Sequence, residues 1–493
     1  MSKLRVISFI FILIFMFAIF SSMLISCNSQ KPESPESSQT AEEINEAGTE
    51  QEQTASEPEK TFPREIRDLG GYNFRVLIDE NEGNALFYED LTIEQEEGEV
   101  YNDALYRRNL ELIEKFNVKF SSVSKEDISK DVKNIVNSGS DDYDLILPRL
   151  FTAWNLIPYC NNLMQYENLS LKESWYDQNC VENLSIDNKL YIITGDAFMK
   201  HYDGIMLMIF NKQLLADLAL SDPYSLVRDG KWTLDIMGEM SKGATMDIDG
   251  NGKMDRYDRW GYVLQSDILV GMINGAGLQF MYKDENDIPY SMPNTDKMNA
   301  TIDKILSFYN DYSWDCLRDG KGEDKSAFWV FPEGRALFNG IMLHYIQWQL
   351  RGVEFDFGIL PFPKFDESQE RYYTSTNDFH TFCYMMPKSV SDPENTAYIF
   401  DAMGFYGEKI IKPAYYDVCL TRKYTRDEES NDMLDIIFKS TSYDLGIYAN
   451  FGNIAGSMRT MMEKGTNTYA STYEKQESKI TNEIVKFIDN IQE

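Results

Sequence analysis

Between Asp247 and Asp258, oxygen-bearing side chains recur at a spacing that suits a hard cation. The run Asp247-Ile-Asp249-Gly-Asn251-Gly252-Lys253-Met-Asp255-Arg-Tyr-Asp258 follows the calcium-loop pattern D-x-D-x-N-G-x5-D. Ca²⁺ takes about 6–8 oxygens, and alternate residues of a tight loop can aim carboxylates inward while a glycine supplies the bend. Asp247, Asp249 and Asn251 would offer side-chain oxygens, Lys253 its carbonyl, Asp255 a direct or water-mediated contact, and Asp258 the closing carboxylate. An EF-hand closes with a longer, bidentate Glu, so Asp258 implies weaker binding or a tighter loop. The same residues also suit an Asx-rich turn with no metal, and an ion held here would be structural.

Catalytic signatures do not occur. G-x-S-x-G, H-E-x-x-H, a Walker A loop and a G-x-G-x-x-G after a strand are missing from the chain. No catalytic cofactor is expected. With 80 acidic residues, a carboxylate pair of the glycosidase kind stays open, and a secreted glycoside hydrolase is the chief rival reading. The three histidines, His201, His344 and His380, share no i, i+4 or H-x-H spacing. A zinc-binding receptor would therefore depend on tertiary placement alone, whereas hydrogen bonding to ligand or backbone asks less of them. A net charge of −33 argues against nucleic acid and anionic lipid surfaces as partners. Apart from Cys27, five cysteines remain, without metal-type pairing; Cys160 with Cys180 is a conceivable disulfide, and buried reduced thiols are the alternative.

These residues need a scaffold, and the periodicity supplies one. Strands are expected at Tyr72–Ile78, Val118–Val123 and Tyr143–Leu147, with helices at 100–116 and 128–136 between them. Such β-α-β-α-β alternation predicts a mainly parallel sheet covered by helices, with ligands at the carboxyl ends of its strands, where Trp154 lies. Further on come a strand at Ile205–Phe210, a helix at 212–218 and another opened by Lys231-Trp232-Thr233. A helix at 301–312, strands at 335–340 and 355–360, the apolar run 381–386, and helices at 393–406, 431–439 and 473–491 follow.

At the N-terminus, Lys3 and Arg5 precede an apolar run that ends at Leu24-Ile25-Ser26-Cys27, which resembles a bacterial lipoprotein signal peptide whose cysteine is lipidated. The segment 28–59 is rich in Ser, Thr, Gln, Glu and Pro, and reads as a disordered acidic tether.

Taken in order, HYDGIMLMIFNKQLL, KWTLDIMGEM, DIDGNGKMDRYDRWG, EGRALFNG, DFGILPFPKFDE and PAYYDVCL resemble the extracellular solute-binding proteins, family 1, of carbohydrate ABC importers. That resemblance implies the type II periplasmic-binding-protein fold: two α/β lobes joined by hinge crossovers, with ligand trapped in the cleft. The crossovers would lie near 200–204, 374–381 and 411–416. It divides the chain into a signal peptide (1–26), tether (27–61), first lobe (62–203), second lobe (204–377), a return to the first (378–412) and a C-terminal part of the second (413–493). The expected molecule is a monomer on the outer face of the cell membrane, anchored by palmitate-type lipid at Cys27. It would capture a small polar ligand, a sugar or oligosaccharide, and deliver it to the importer's transmembrane subunits.

Sugars present C–H faces that stack on rings and hydroxyls that need planar polar partners. Within the implied cleft, Trp154, Tyr202, Tyr345, Tyr448 and Phe451 are the ring candidates. Asp203, Asn377 and Asp378 are the polar candidates, with His344 and His380 beside them. Trp232 and Trp260 are assigned to packing away from the cleft.

Overall fold

The computed structural model describes residues 60–79, 91, 94–291, 295–315, 327–416 and 427–492. The apolar N-terminal run, Cys27, the tether to residue 59, Cys316 and Cys419 lie outside the described residues.

Strands β1 (Tyr72–Asp79), β2 (Val118–Lys125) and β3 (Leu145–Leu147) are parallel, in the order β2-β1-β3. The helices Val100–Phe116 and Ser129–Ser138 connect them, as the periodicity predicts. The first begins where Glu99 accepts the Asn102 backbone N–H and stops where Asn117 turns left-handed (φ 50°), a conformation asparagine tolerates.

A second sheet follows. It takes β4 (Met206–Asn211) and β5 (Trp260–Leu264), leaves out a hairpin of β6 (Met281–Lys283) and β7 (Pro289–Ser291), then takes β8 (Ser313–Asp315), β9 (Ala336–Met342) and β10 (Phe357–Leu360). Its order is β10-β4-β9-β5-β8. Every residue of β4, β5, β9 and β10 is buried, the pattern of strands covered on both faces.

Each sheet receives one antiparallel intruder immediately after the chain crosses into it. Strand β4 runs antiparallel to β9 and β10, whereas β9, β5 and β8 are parallel. In the first sheet, the apolar run after Thr381 bridges antiparallel to β3 at Ile146–Met385 and to Ile193 at Tyr384. The crossings themselves lie side by side: Ile205 bridges Thr376, and Asn377 N–H donates to the Gly204 carbonyl at 2.8 Å. A Cβ on Gly204 would sit 2.1 Å from Thr381 Oγ1, so only glycine fits. Beside them β11 (Thr374–Ser375) pairs with β12 (Thr441–Ser442). The third crossing falls between Tyr415, whose ring meets Tyr101 of the first lobe, and Tyr416, whose ring meets Phe438 of the second. The helical turn Lys412–Ala414, at the expected boundary of residue 412, packs on Val100–Phe116.

Two other packings organise the unit, which spans Phe62–Glu493. At its start, Phe62 is ringed by Phe116, Tyr398, Phe405 and Tyr406, and Arg64 Nη1 reaches the buried Asp401 carboxylate at 2.5 Å. Arg67 lies 3.9 Å over the Tyr398 ring. Near its end, the helix Tyr469–Gln492 touches both lobes: Tyr473 OH lies 3.0 Å from Ser291 Oγ, and Phe487 stacks on Trp154. Cys160, Cys180 and Cys383 are buried and unbridged, so the conceivable Cys160–Cys180 disulfide is not formed. No described helix is long and apolar enough to cross a membrane.

Candidate ligand cleft

Small cavities collect where the strands of both sheets end. One lies beyond the carboxyl ends of β5 and β9, lined by Gln265, Ile268, Asn339, Tyr345 and Gln349. Another, at the ends of β1 and β3, is lined by Ile78, Leu147, Lys200, His201 and Phe382. A third sits against the second crossing, between Asp267, Asn377, Asp378 and Arg459. Each holds about 10 to 20 Å³, room for about one water molecule.

At the centre, rings form a chain from the first lobe to the second. Phe151, just after β3, meets Phe379 at 6.2 Å between centroids; Phe379 meets His380 at 5.3 Å; His380 meets Tyr345 at 5.6 Å and His344 at 4.6 Å. Phe151 is 54% exposed and Phe379 39%, so both offer ring surface to solvent. Arg149, paired with the buried Asp79 at 3.3 Å, lays its guanidinium 4.3 Å from the Phe379 ring centroid. Beneath the chain, Gln349 Nε2 is buried against its cavity with no hydrogen-bond acceptor among the described residues.

The residues singled out from sequence divide into two sets. His344, Tyr345, Asn377, Asp378 and His380 lie in this ring chain or at the cavities. The others hold structure together. Trp154 is 8% exposed, with one face covered by Phe487 (4.7 Å) and its edge region by Phe451 (5.7 Å). Trp154 and Phe451, placed on opposite sides of a ligand by the sequence reading, instead pack on each other under the C-terminal helix. Tyr448 is buried, its hydroxyl donating to the Thr376 carbonyl at 3.3 Å. Tyr202 is packed between Tyr415 and Phe438 at the hinge. Asp203 is buried and paired with Lys200 at 3.2 Å, and its backbone carbonyl accepts from His344 Nδ1 at 2.9 Å. Of the cavity set, Asn377 also spends its side-chain oxygen on the N–H groups of Phe379 and His380.

Sequence reading missed Phe151, Phe379, Arg149, Gln265, Asp267, Gln349 and Arg459. Nothing in residue type separates an exposed Phe from a core one, but Phe151 follows a buried strand by four residues, the position where ligand loops begin.

Burial keeps the histidines neutral. His201 is held down at about 3 with Nδ1 donating to the Phe198 carbonyl, and His380 is held down at about 3 by burial and then by His344. His344 is lowered too, by burial. The three imidazoles do not converge: among the described residues, only Asp247, Asp249 and Asp258 form a cluster with metal-ligand spacing. The zinc arrangement weighed from sequence is therefore not built.

That acidic cluster precedes β5, at the opposite end of the strand from Gln265. Carboxylate oxygens of Asp247, Asp249 and Asp258 lie within 4.8 Å of one another. Gly250 and Gly252 take positive φ (70° and 77°) and donate to Asp247, which lowers its carboxyl, chiefly through Gly252. Asp258 is buried and accepts from Ile248 and Asp255 N–H at 2.8 and 2.7 Å. Asp255 turns its side chain to the Tyr257 N–H, and Asn251 Oδ1 accepts from Lys253 N–H. Trp260 Nε1 donates to the Asp255 carbonyl at 2.9 Å, and Trp232 Nε1 to that of Pro361 at 3.0 Å; both tryptophans pack as expected.

No protein-family model and no curated protein sequence matches the chain. Solved structures do. The cyclic alpha-maltosyl-1,6-maltose binding protein from Arthrobacter globiformis superposes with a TM-score of 0.57 at 12% identity, covering 85% of this chain and 100% of that one. The maltose/maltodextrin-binding domain from Bdellovibrio bacteriovorus, bound to maltotriose, gives 0.52 at 13% identity over 84% and 100%. The galacto-N-biose/lacto-N-biose I-binding protein of the ABC transporter from Bifidobacterium longum gives 0.53 at 13% identity over 85% and 98%. With its two α/β sheets, its intruding antiparallel strands and its adjacent crossings, the chain has the type II periplasmic-binding-protein fold that these solute-binding proteins share.

Proposed function

We propose that this protein captures a sugar or oligosaccharide in the cleft between its lobes, outside the membrane, and delivers it chemically unchanged to an ABC importer. The observation that carries this reading is the cavity beyond β5 and β9, where the Tyr345 ring and three carboxamides converge and the buried Gln349 Nε2 has no acceptor among the described residues. Rings beside amides suit a ligand with C–H faces and hydroxyls. The fold of sugar-binding neighbours supports it. Cavities of about one water each cannot admit a sugar, so the lobes must part and close again, using the crossings at Gly204, Thr376 and Tyr415–Tyr416 as hinges. Thermal-shift screening with a glycan panel tests capture, since a ligand that binds only the folded state raises Tm. Small-angle scattering should show a smaller radius of gyration with ligand. Recovery of a cleaved glycan would instead establish the glycosidase.

Two further proposals concern the ends of this machine. The fatty anchor is assigned to Cys27, motivated by the apolar run that ends there; Cys27→Ser should release the protein from the membrane fraction, and unchanged retention would refute it. The loop of Asp247, Asp249 and Asp258 is assigned a structural Ca²⁺, supported by carboxylates that already converge. Chelator should lower Tm and Asp249→Ala should remove that sensitivity; identical melting with and without calcium would leave only a turn.

A further inference from the structure

Four carboxylates around the crossings are matched by a cation, and a fifth, the buried Asp444, spends its oxygens on the N–H groups of Asn274, Phe280, Met281 and Gly446. Asp79 pairs with Arg149 at 3.3 Å, Asp203 with Lys200 at 3.2 Å, Asp196 with Lys412 at 2.8 Å and Asp267 with Arg459 at 2.7 Å. Asp378 shares a cavity with Asp267 and Arg459, yet among the described residues no cation pairs with it. Arg459 is committed to Asp267, and Asn377 Nδ2 also leans toward Asp267, at 3.4 Å. The cavity therefore carries one uncompensated carboxylate. Burial, and then the charge of Asp267, hold the Asp378 carboxyl above its usual range, against the opposing pull of the Arg459 charge. The next residue along the chain is Phe379, whose ring already accepts the Arg149 guanidinium on a face and meets the exposed Phe151. Ring surface and an unmatched carboxylate stand on adjacent residues.

We infer that the cleft is built for a sugar bearing a protonated amine, with the ammonium on Asp378 and the C–H face of the ring against Phe379 and Phe151. This rests on the reading of the cleft as a sugar site and narrows its ligand class. A hydroxyl needs no net charge to be recognised, whereas an ammonium supplies the charge this cavity lacks. An anionic sugar would meet Asp378 and Asp267 with like charge and be rejected.

Binding of glucosamine oligomers, their N-acetylated counterparts and maltooligosaccharides of equal length to the purified chain, measured by calorimetry, tests the inference. A charge-assisted contact predicts that the amine-bearing oligomer binds about 10-fold tighter or more than its N-acetylated form. That gap should shrink with added salt and disappear in Asp378→Asn, whose folding is checked by circular dichroism. The salt series on the unmodified protein serves as the test if the variant does not fold. Equal affinity for the acetylated or neutral oligomers, or a gap that Asp378→Asn and salt leave intact, overturns the amine assignment while keeping the sugar site. Failure of every glycan to bind would sink the sugar site itself, and the amine assignment with it.

Discussion

Replacing Trp154 and Phe151 separately by alanine should produce opposite phenotypes. Trp154 is almost completely buried, stacked on Phe487 at 4.7 Å and edge-on to Phe451 at 5.7 Å. Its removal leaves a cavity between the first lobe and the C-terminal helix, a class of substitution that costs about 3–5 kcal/mol. Phe151 is 54% exposed and touches mainly Phe379, so its loss should change stability by about 0.5 kcal/mol or less. On the proposed reading of the cleft, its contribution belongs to ligand. One ring stacked on a sugar face is worth about 0.5–1.5 kcal/mol by analogy with aromatic pairs, a loss of about 2- to 10-fold in affinity. Denaturant unfolding of each variant, paired with calorimetric titration of a glycan found by the panel, separates the two effects. Trp154→Ala should unfold at clearly lower denaturant yet bind nearly normally while folded. If Trp154→Ala keeps its stability and loses binding, the Trp154 face is open to ligand and the assignment of rings is wrong.

Three other outcomes follow from the buried groups. Asp196 is pushed up from 3.8 to about 7, mainly by burial, so the folded chain holds a proton there that the unfolded chain releases between about pH 4 and 7. Its stabilising contribution is complete below about pH 4 and lost as pH rises through 7; relative to Asp196→Asn, the wild type should therefore lose stability across that window. Gly407→Ala should destabilise by about 1–3 kcal/mol in thermal or denaturant unfolding, because the added Cβ would fall 1.9 Å from the Asp196 carbonyl oxygen. Burial raises the thiols of Cys160, Cys180 and Cys383, so maleimide should label none of the three in the native protein and all of them in denaturant; native labelling of any would contradict the packing.

Much of the first lobe was legible because it obeys local rules. The strands and helices from Tyr72 to Leu147 announce themselves by period, and Asn117 and Gly139 mark helix ends with left-handed turns. The second lobe was legible in its elements more than in its pairing. Strand β4 reads as an ordinary apolar run, and only tertiary contact reveals that it is antiparallel to its neighbours. The cleft was legible by segment and not by side chain. Within the crossing expected near 374–381, Asn377 faces its own backbone, Asp378 faces a cavity and Phe379 faces solvent. Which way successive side chains point in an irregular segment depends on distant contacts such as Phe151 N–H donating to the Asp378 carbonyl. Trp154 failed as a platform for the same reason: its partner, Phe487, lies more than 300 residues away.

If the chain is held N-terminal to Phe62, the dock made by Phe62, Arg64 and Arg67 would decide which lobe stands still. These residues grip helices of the first lobe alone, through a cage of four rings and a buried carboxylate. A pull on the chain N-terminal to Phe62 therefore loads the first lobe and bypasses every hinge. In a leashed molecule the first lobe becomes the stator and the second the arm that swings, so drag on the leash neither pries the cleft open nor forces it shut.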